Sequence, residues 1–150
     1  MDEKHYNLHQ SLGYQATLTS RVFERRLEDG LRDLGLTRLG WCILLAIGEE
    51  GHHSPSSIAD FIGTDRTATS RALRQLEAGQ LIARRTHPRD RRRTHVSLTA
   101  SGEDRLKRAI TIAAENNDHF RRKLSDEDNS VLIELLERLR TGEPTRLANF

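Results

Sequence analysis

The chain has 150 residues, 35% of them hydrophobic and 31% charged, with only four Phe, two Tyr and one Trp. That length suits one domain with a core of its own, but so few apolar side chains invite a second monomer to complete the core. No run approaches the ~18 consecutive apolar residues of a membrane span. The opening MDEKHYNLHQ lacks the basic-then-apolar order of a signal peptide. A single cysteine, Cys42, excludes an internal disulfide and a zinc knuckle, and a cytoplasmic protein without membrane contact is expected.

Charge is unevenly placed. The net +2 hides a segment from Asp65 to His95 with nine arginines against three acids, a local +6 that leaves −4 on the remainder. A basic centre on an acidic background is a directed electrostatic face, suited to a polyanion.

In chain order, Leu8, Leu12, Ala16, Thr19, Phe23, Leu27 and Leu31 recur at steps of three and four, one face of a first helix. Gly35 breaks it. A second helix starts near Thr37 and is apolar nearly all round at Trp41–Ile47, a buried core helix. Two short helical patterns follow, separated by Gly63. Ser56 or Ser57 is placed to cap the first, Asp65 to cap the second and Gly79 to end it. Two helices joined by a short turn containing glycine form a helix-turn-helix.

Beyond Gly79, LIARRT and THVSLT read as strands around the loop HPRDRRR, so a basic hairpin follows the helix-turn-helix directly. From Arg84 to Arg93 the chain places six arginines and one acid, Asp90. Leu106, Ile110, Ala113, Asn117, Phe120 and Leu124 then step as a narrow heptad-like seam. Ser125 and Asp128 are spaced like a capping box for a last helix with Leu132, Leu135, Leu136 and Leu139 on its face. The fold expected is mainly α with a small β-hairpin wing, an α+β winged helix-turn-helix. Residues 35–100 are expected to form the DNA-binding domain, with residues 1–34 and 101–150 as helices on either side of it.

On the helix from Arg66 to Ala78, Thr67, Ser70, Arg71 and Arg74 share a polar face opposite Leu73 and Leu76. A helix entering a major groove presents its N-terminal residues to base edges, which suits Thr67, Ser70 and Arg71, while Arg66 and Arg74 suit phosphate. A thin basic hairpin suits a minor groove, where arginine is attracted. Double-stranded DNA is therefore the expected partner. The basic stretch has no aromatic residue between Asp65 and His95, which counts against stacking on RNA bases.

The order of elements, and the stretches SRALRQLEAGQLI (Ser70 to Ile82) and DRRRTHVSLTASG (Asp90 to Gly102), resemble the MarR family of bacterial transcriptional regulators over most of the chain. The resemblance is strongest from Ile58 to Thr99. It implies a homodimer held by the first and the last two helices, here Leu8, Leu12, Leu106, Ile110, Phe120, Leu124, Leu132 and Leu136. It also implies a wing-tip motif of aspartate and, two residues on, arginine: Asp90 and Arg92, with Arg89, Arg91 and Arg93 on phosphates. Asp90 is then the brace that aims the tip, by pairing with Arg92 or capping turn amides. Ala68 stands where relatives often carry a polar residue, and Thr69 where they often carry an apolar one.

The function implied is a sequence-specific regulator, a repressor of pseudopalindromic operators relieved by a small aromatic or anionic effector. Arg21, Trp41 and Arg105 are the candidate lining residues. A redox- or metal-responsive regulator and a non-specific architectural nucleic-acid binder are the alternatives. Cys42 lies inside CILLAI, the setting of a buried, inert thiol. His5 and His9 stand at i, i+4 and His52 and His53 are adjacent, but neither pair has an evident third ligand. No catalytic set and no cofactor motif is present in the pattern, so no enzyme and no cofactor is expected.

Overall fold

A computed structural model of the chain describes residues 6–145, apart from the side chain of Arg91. Helices α1 (Leu12–Arg32), α2 (Arg38–Gly48), α3 (Pro55–Ile62) and α4 (Arg66–Ala78) precede strands β1 (Ile82–His87) and β2 (Asp90–Leu98). Helices α5 (Ala100–Arg121) and α6 (Asp126–Arg140) follow. His5, one half of a histidine pair, lies outside the described residues.

Local chemistry places most of the boundaries. Thr37, Asp65, Thr99 and Ser125 cap α2, α4, α5 and α6, each side-chain oxygen accepting from an amide three residues on. The first helix starts later than its apolar spacing suggests. Leu8–Gln10 form one 3-10 turn and Ser11 caps α1. Helix α3 is capped by Ser54, not Ser56 or Ser57, because Pro55 occupies the first helical position and Ser57 completes a reciprocal box with Ser54. Gly79 does end α4, yet Gln80 takes the positive φ of 58° at that corner.

The core gathers under α2. Leu31, Ile43, Leu44, Ile58, Leu73 and Val96 are among its fully buried side chains, joined by Trp41, Leu76, Leu81, Ile82 and Leu106. Two of the residues expected on a dimer seam belong here: Leu106 is buried and Ile110 packs against the cluster. A heptad-like spacing specifies a helix face but not which chain covers it.

The wing also corrects its sequence reading. β1 and β2 pair antiparallel from Ile82↔Leu98 to His87↔Asp90, so the connecting turn is only Pro88 and Arg89. Arg91, Arg92 and Arg93 are strand residues, and the tip lies at Pro88–Arg89 rather than at Arg92. Behind the hairpin, the Val96 N–H donates to the His53 carbonyl at 2.7 Å, which stitches the loop before α3 to the free edge of β2.

Candidate DNA-binding face

Helix α4 buries Thr69, Ala72, Leu73 and Leu76 and leaves Arg66, Thr67, Arg71 and Arg74 exposed. Thr69 can stand on the inward side because its hydroxyl donates to the Asp65 carbonyl at 2.9 Å, satisfying the buried polar atom. Asp65 accepts from the Ala68 N–H at 2.7 Å and so anchors the turn that starts the helix. Ser70 is only half-exposed. Its carbonyl takes a long bond of 3.4 Å from Arg74 Nε, which lays that guanidinium along the helix.

A cleft of about 580 Å³ runs beside this helix, with Arg71 and Gln75 on one wall and Arg32, Thr37 and Arg38 on the other. Gln75 lies one turn beyond Arg71 and continues the polar face that the sequence pattern ended at Arg74. Arg38 is half-buried and paired with Glu24 at 3.0 Å and Glu28 at 2.8 Å, so it fastens α2 to α1.

On the wing, alternation along β2 sorts the arginines by face. Arg92 shares the side of Thr94, the buried Val96 and Leu98, which packs toward the core and α4; Arg93 shares the opposite side with His95. The Asp90 carboxylate accepts from the Arg92 N–H at 3.0 Å, a local bond at the start of β2 just past the turn. Arg84, counted within the arginine run, does not face outward for DNA. Its guanidinium binds the Glu77 carboxylate, with Nε at 2.9 Å, and ties β1 to the end of α4. That bond holds the Glu77 carboxyl below its ordinary range.

The structure does not gather Arg21, Trp41 and Arg105 around one space. Trp41 is in the core, and Arg105 donates to the Leu34 carbonyl, bolting α5 to the turn after α1. Arg21 lines a cavity of about 770 Å³ between α1 and the far half of α5, with Arg25, Arg26 and Lys123 near the apolar Val22 and Phe120. His119 in the same wall is held below its usual range by burial and by Arg26, Lys123 and Arg122. Cys42 is half-buried, its thiol pushed up to about 11 by burial against a smaller opposing pull from Arg38; at that value it carries almost no thiolate near neutral pH. Among the described residues no group of three or more His, Cys, Asp or Glu could hold a metal ion, and no helix is long and apolar enough to cross a membrane.

Of the residues expected at a dimer seam, Leu8, Leu12, Leu124, Leu132 and Leu136 are exposed in the single chain. Phe120 stacks edge-on against Phe23, ring centroids 4.2 Å apart. Among the described residues, α6 packs extensively against no other element of its own chain.

A helix-turn-helix whose second helix shows an arginine-bearing face, with a basic hairpin directly behind it, defines a winged-helix DNA-binding protein. The family assignment follows from likeness to known proteins. The chain belongs to the MarR family, whose model matches residues 34–93. A transcriptional regulatory protein assigned to the hcr operon of Thauera aromatica is 32% identical over 115 residues, covering 77% of this chain and 69% of that protein. Two solved structures share the fold. Bordetella bronchiseptica BpsR, described with the regulation of its DNA binding by 6-hydroxynicotinic acid, aligns over 93% of this chain and 99% of its own, with 19% identity and a TM-score of 0.83. A cysteine-to-serine mutant of E. coli MarR, complexed with operator DNA, aligns over 85% and 92%, with 21% identity and a TM-score of 0.77. The chain is a transcriptional regulator of this family, not an enzyme.

Proposed function

We propose that two copies of this chain bind a pseudopalindromic operator, repress the adjacent gene, and release it when a small aromatic or anionic effector binds. The observation that carries the reading is the juxtaposition of the exposed α4 face with the wing, both held to one closed core. Thr67, Arg71 and the half-exposed Ser70 read bases in the major groove; Arg66 and Arg74 meet phosphate. Arg92 enters the neighbouring minor groove with Asp90 bracing its turn, and Arg89, Arg91 and Arg93 neutralise the flanking phosphates. Two α4 helices one DNA turn apart, ~34–36 Å, reach successive major grooves.

The exposed apolar residues of α1 and α6 support the second copy. The cavity between α1 and α5, where Arg21, Arg25, Arg26 and Lys123 outnumber Asp29 and Glu115, supports an anionic effector, as does the regulation of BpsR by 6-hydroxynicotinic acid. An effector that favours another spacing of the recognition helices lowers DNA affinity by its differential binding to the two states.

Selection from a random duplex library tests the reading. A two-fold symmetric consensus is expected, and Arg92→Ala should weaken binding to it by about 1–3 kcal/mol at fixed salt without changing the oligomeric state. Equal affinity for random and selected duplexes would instead make the protein architectural.

A further inference from the structure

The face of the wing turned away from α4 carries a cluster of which the reading above uses only Arg93. A cavity of about 800 Å³ opens between this face and the start of α3. Its ionisable lining consists of His53 from the loop before α3, Arg85 and His87 from β1, and Arg93 and His95 from β2. From α3 the lining receives Ser57, with its cap Ser54, and no carboxylate. Asp60 lies a turn further along α3, and Asp90 is bound to the Arg92 amide.

The histidines are arranged so that one proton has a defined place. His53 and His95 stack with ring centroids 4.8 Å apart and planes 20° apart. His53 Nδ1 lies 2.9 Å from the Val96 carbonyl, which can only accept, so Nδ1 carries hydrogen and Nε2 is the nitrogen open to a proton. His87 differs. Its Nδ1 accepts from the Arg89 N–H at 3.2 Å within the turn.

A hairpin lying in a minor groove about 6 Å wide is flanked by phosphates on both sides. With the wing in such a groove, its α4 side would face one strand and the outer side, with Arg85, Arg93, His53 and His95, the other. We propose that this outer face is a second phosphate-binding surface for DNA in which the His53–His95 stack takes up a proton on binding, so that the regulator holds its operator more tightly as pH falls. The proposal rests on the wing entering the minor groove. Protonating Nε2 of one ring adds an imidazolium to a cavity also lined by Arg85 and Arg93, a concentration of positive charge that an arriving phosphate stabilises. The proton comes from solvent, and mass action then links DNA affinity to pH.

The test is fluorescence anisotropy on the selected duplex at constant ionic strength, between about pH 8 and pH 5.5, the range over which histidine changes charge. Affinity of the unmodified protein should rise on acidification, by up to about tenfold per pH unit for each proton taken up. His95→Gln should flatten that slope and keep the affinity at the alkaline end. His53→Gln should do the same, with thermal melts to show that the loss of its Val96 bond leaves the fold intact. Arg93→Gln should weaken binding at every pH and lower the salt slope by about one. An unmodified protein with a flat pH profile overturns the proposal, as does His95→Gln with an unchanged slope or His87→Gln with an abolished one. A protein that selects no duplex at all would overturn the DNA reading and this inference together, which a flat profile on a tightly bound duplex would not.

Discussion

The winged-helix half and the terminal helices use their apolar residues in opposite ways. Around α2, side chains from α1, α3, α4, both strands and α5 close on one another until Ile43, Leu44, Ile58 and Val96 have no accessible surface. In α6, Val131, Leu132, Leu135, Leu136 and Leu139 all remain at least 40% exposed, although they recur at helical spacing on one side. A contiguous apolar stripe of this kind marks an interaction surface. One half is thus a finished unit that can hold a DNA-reading face rigid. The other is left uncovered among the described residues, and a second copy is the occupant proposed above.

The largest effect should come from breaking the unfinished half. Leu132→Glu with Leu136→Glu places two charges in the stripe, and sedimentation should then report the monomer mass where the parent gives twice that value. The winged-helix half should keep its secondary structure, while affinity for a symmetric duplex falls by orders of magnitude because only one half-site is engaged. An unchanged mass would remove α6 from the interface.

The finished half should break where its backbones touch. A Cβ added at Gly102 would lie 2.0 Å from the Leu81 carbonyl oxygen, at the point where α5 starts against the base of the wing. That oxygen already accepts from the Thr99 N–H at 3.1 Å and cannot withdraw without loss. Gly102→Ala should cost about 2 kcal/mol or more in urea denaturation, despite the better helix propensity of alanine.

How much of this was legible in the sequence divides along the same line. Asp65 and Ser125 were readable as caps because a cap is settled within four residues. The α4 polar face was readable because its period is local. The strand extent was not: Arg92 and Arg93 put like charges on opposite faces of β2, which erases the alternation that marks a strand. Nor could spacing tell that Leu106 and Ile110 serve the chain's own core while Leu132 and Leu136 do not, since that depends on how α5 crosses α2. The His53–His95 stack joins residues from distant parts of the chain through the backbone of Val96, which lies 43 positions beyond His53, a contact that no local pattern announces.

A smaller effect is expected at the start of α1. A Cβ at Gly13 meets nothing within 4 Å in the single chain. Gly13→Ala should therefore stabilise by up to about 1 kcal/mol through helix propensity alone. A loss in its place would mean that a partner backbone approaches α1 at this residue, and would locate the interface there.

The smallest expected effect concerns the brace between the two DNA-reading elements. Glu77 and Arg84 join the end of α4 to β1, and the Arg84 hydrogen bond is the main reason the Glu77 carboxyl stays below its ordinary range, offset in part by desolvation. A carboxyl lowered in the folded state adds stability above its unfolded value, about 4.3 for glutamate, and that stability is lost as pH falls through the lower folded value. Glu77→Gln should therefore be less stable than the parent in urea titrations near neutral pH, and the gap should close in acid. Both partners are partly solvated, so the gap is small. Its functional trace is more telling than its size. Neither residue is assigned to DNA, so a change in operator affinity in Glu77→Gln would arise from a wing no longer held at a fixed angle to the recognition helix. An unchanged affinity would show that Val96 and Ile82 hold that angle by packing alone.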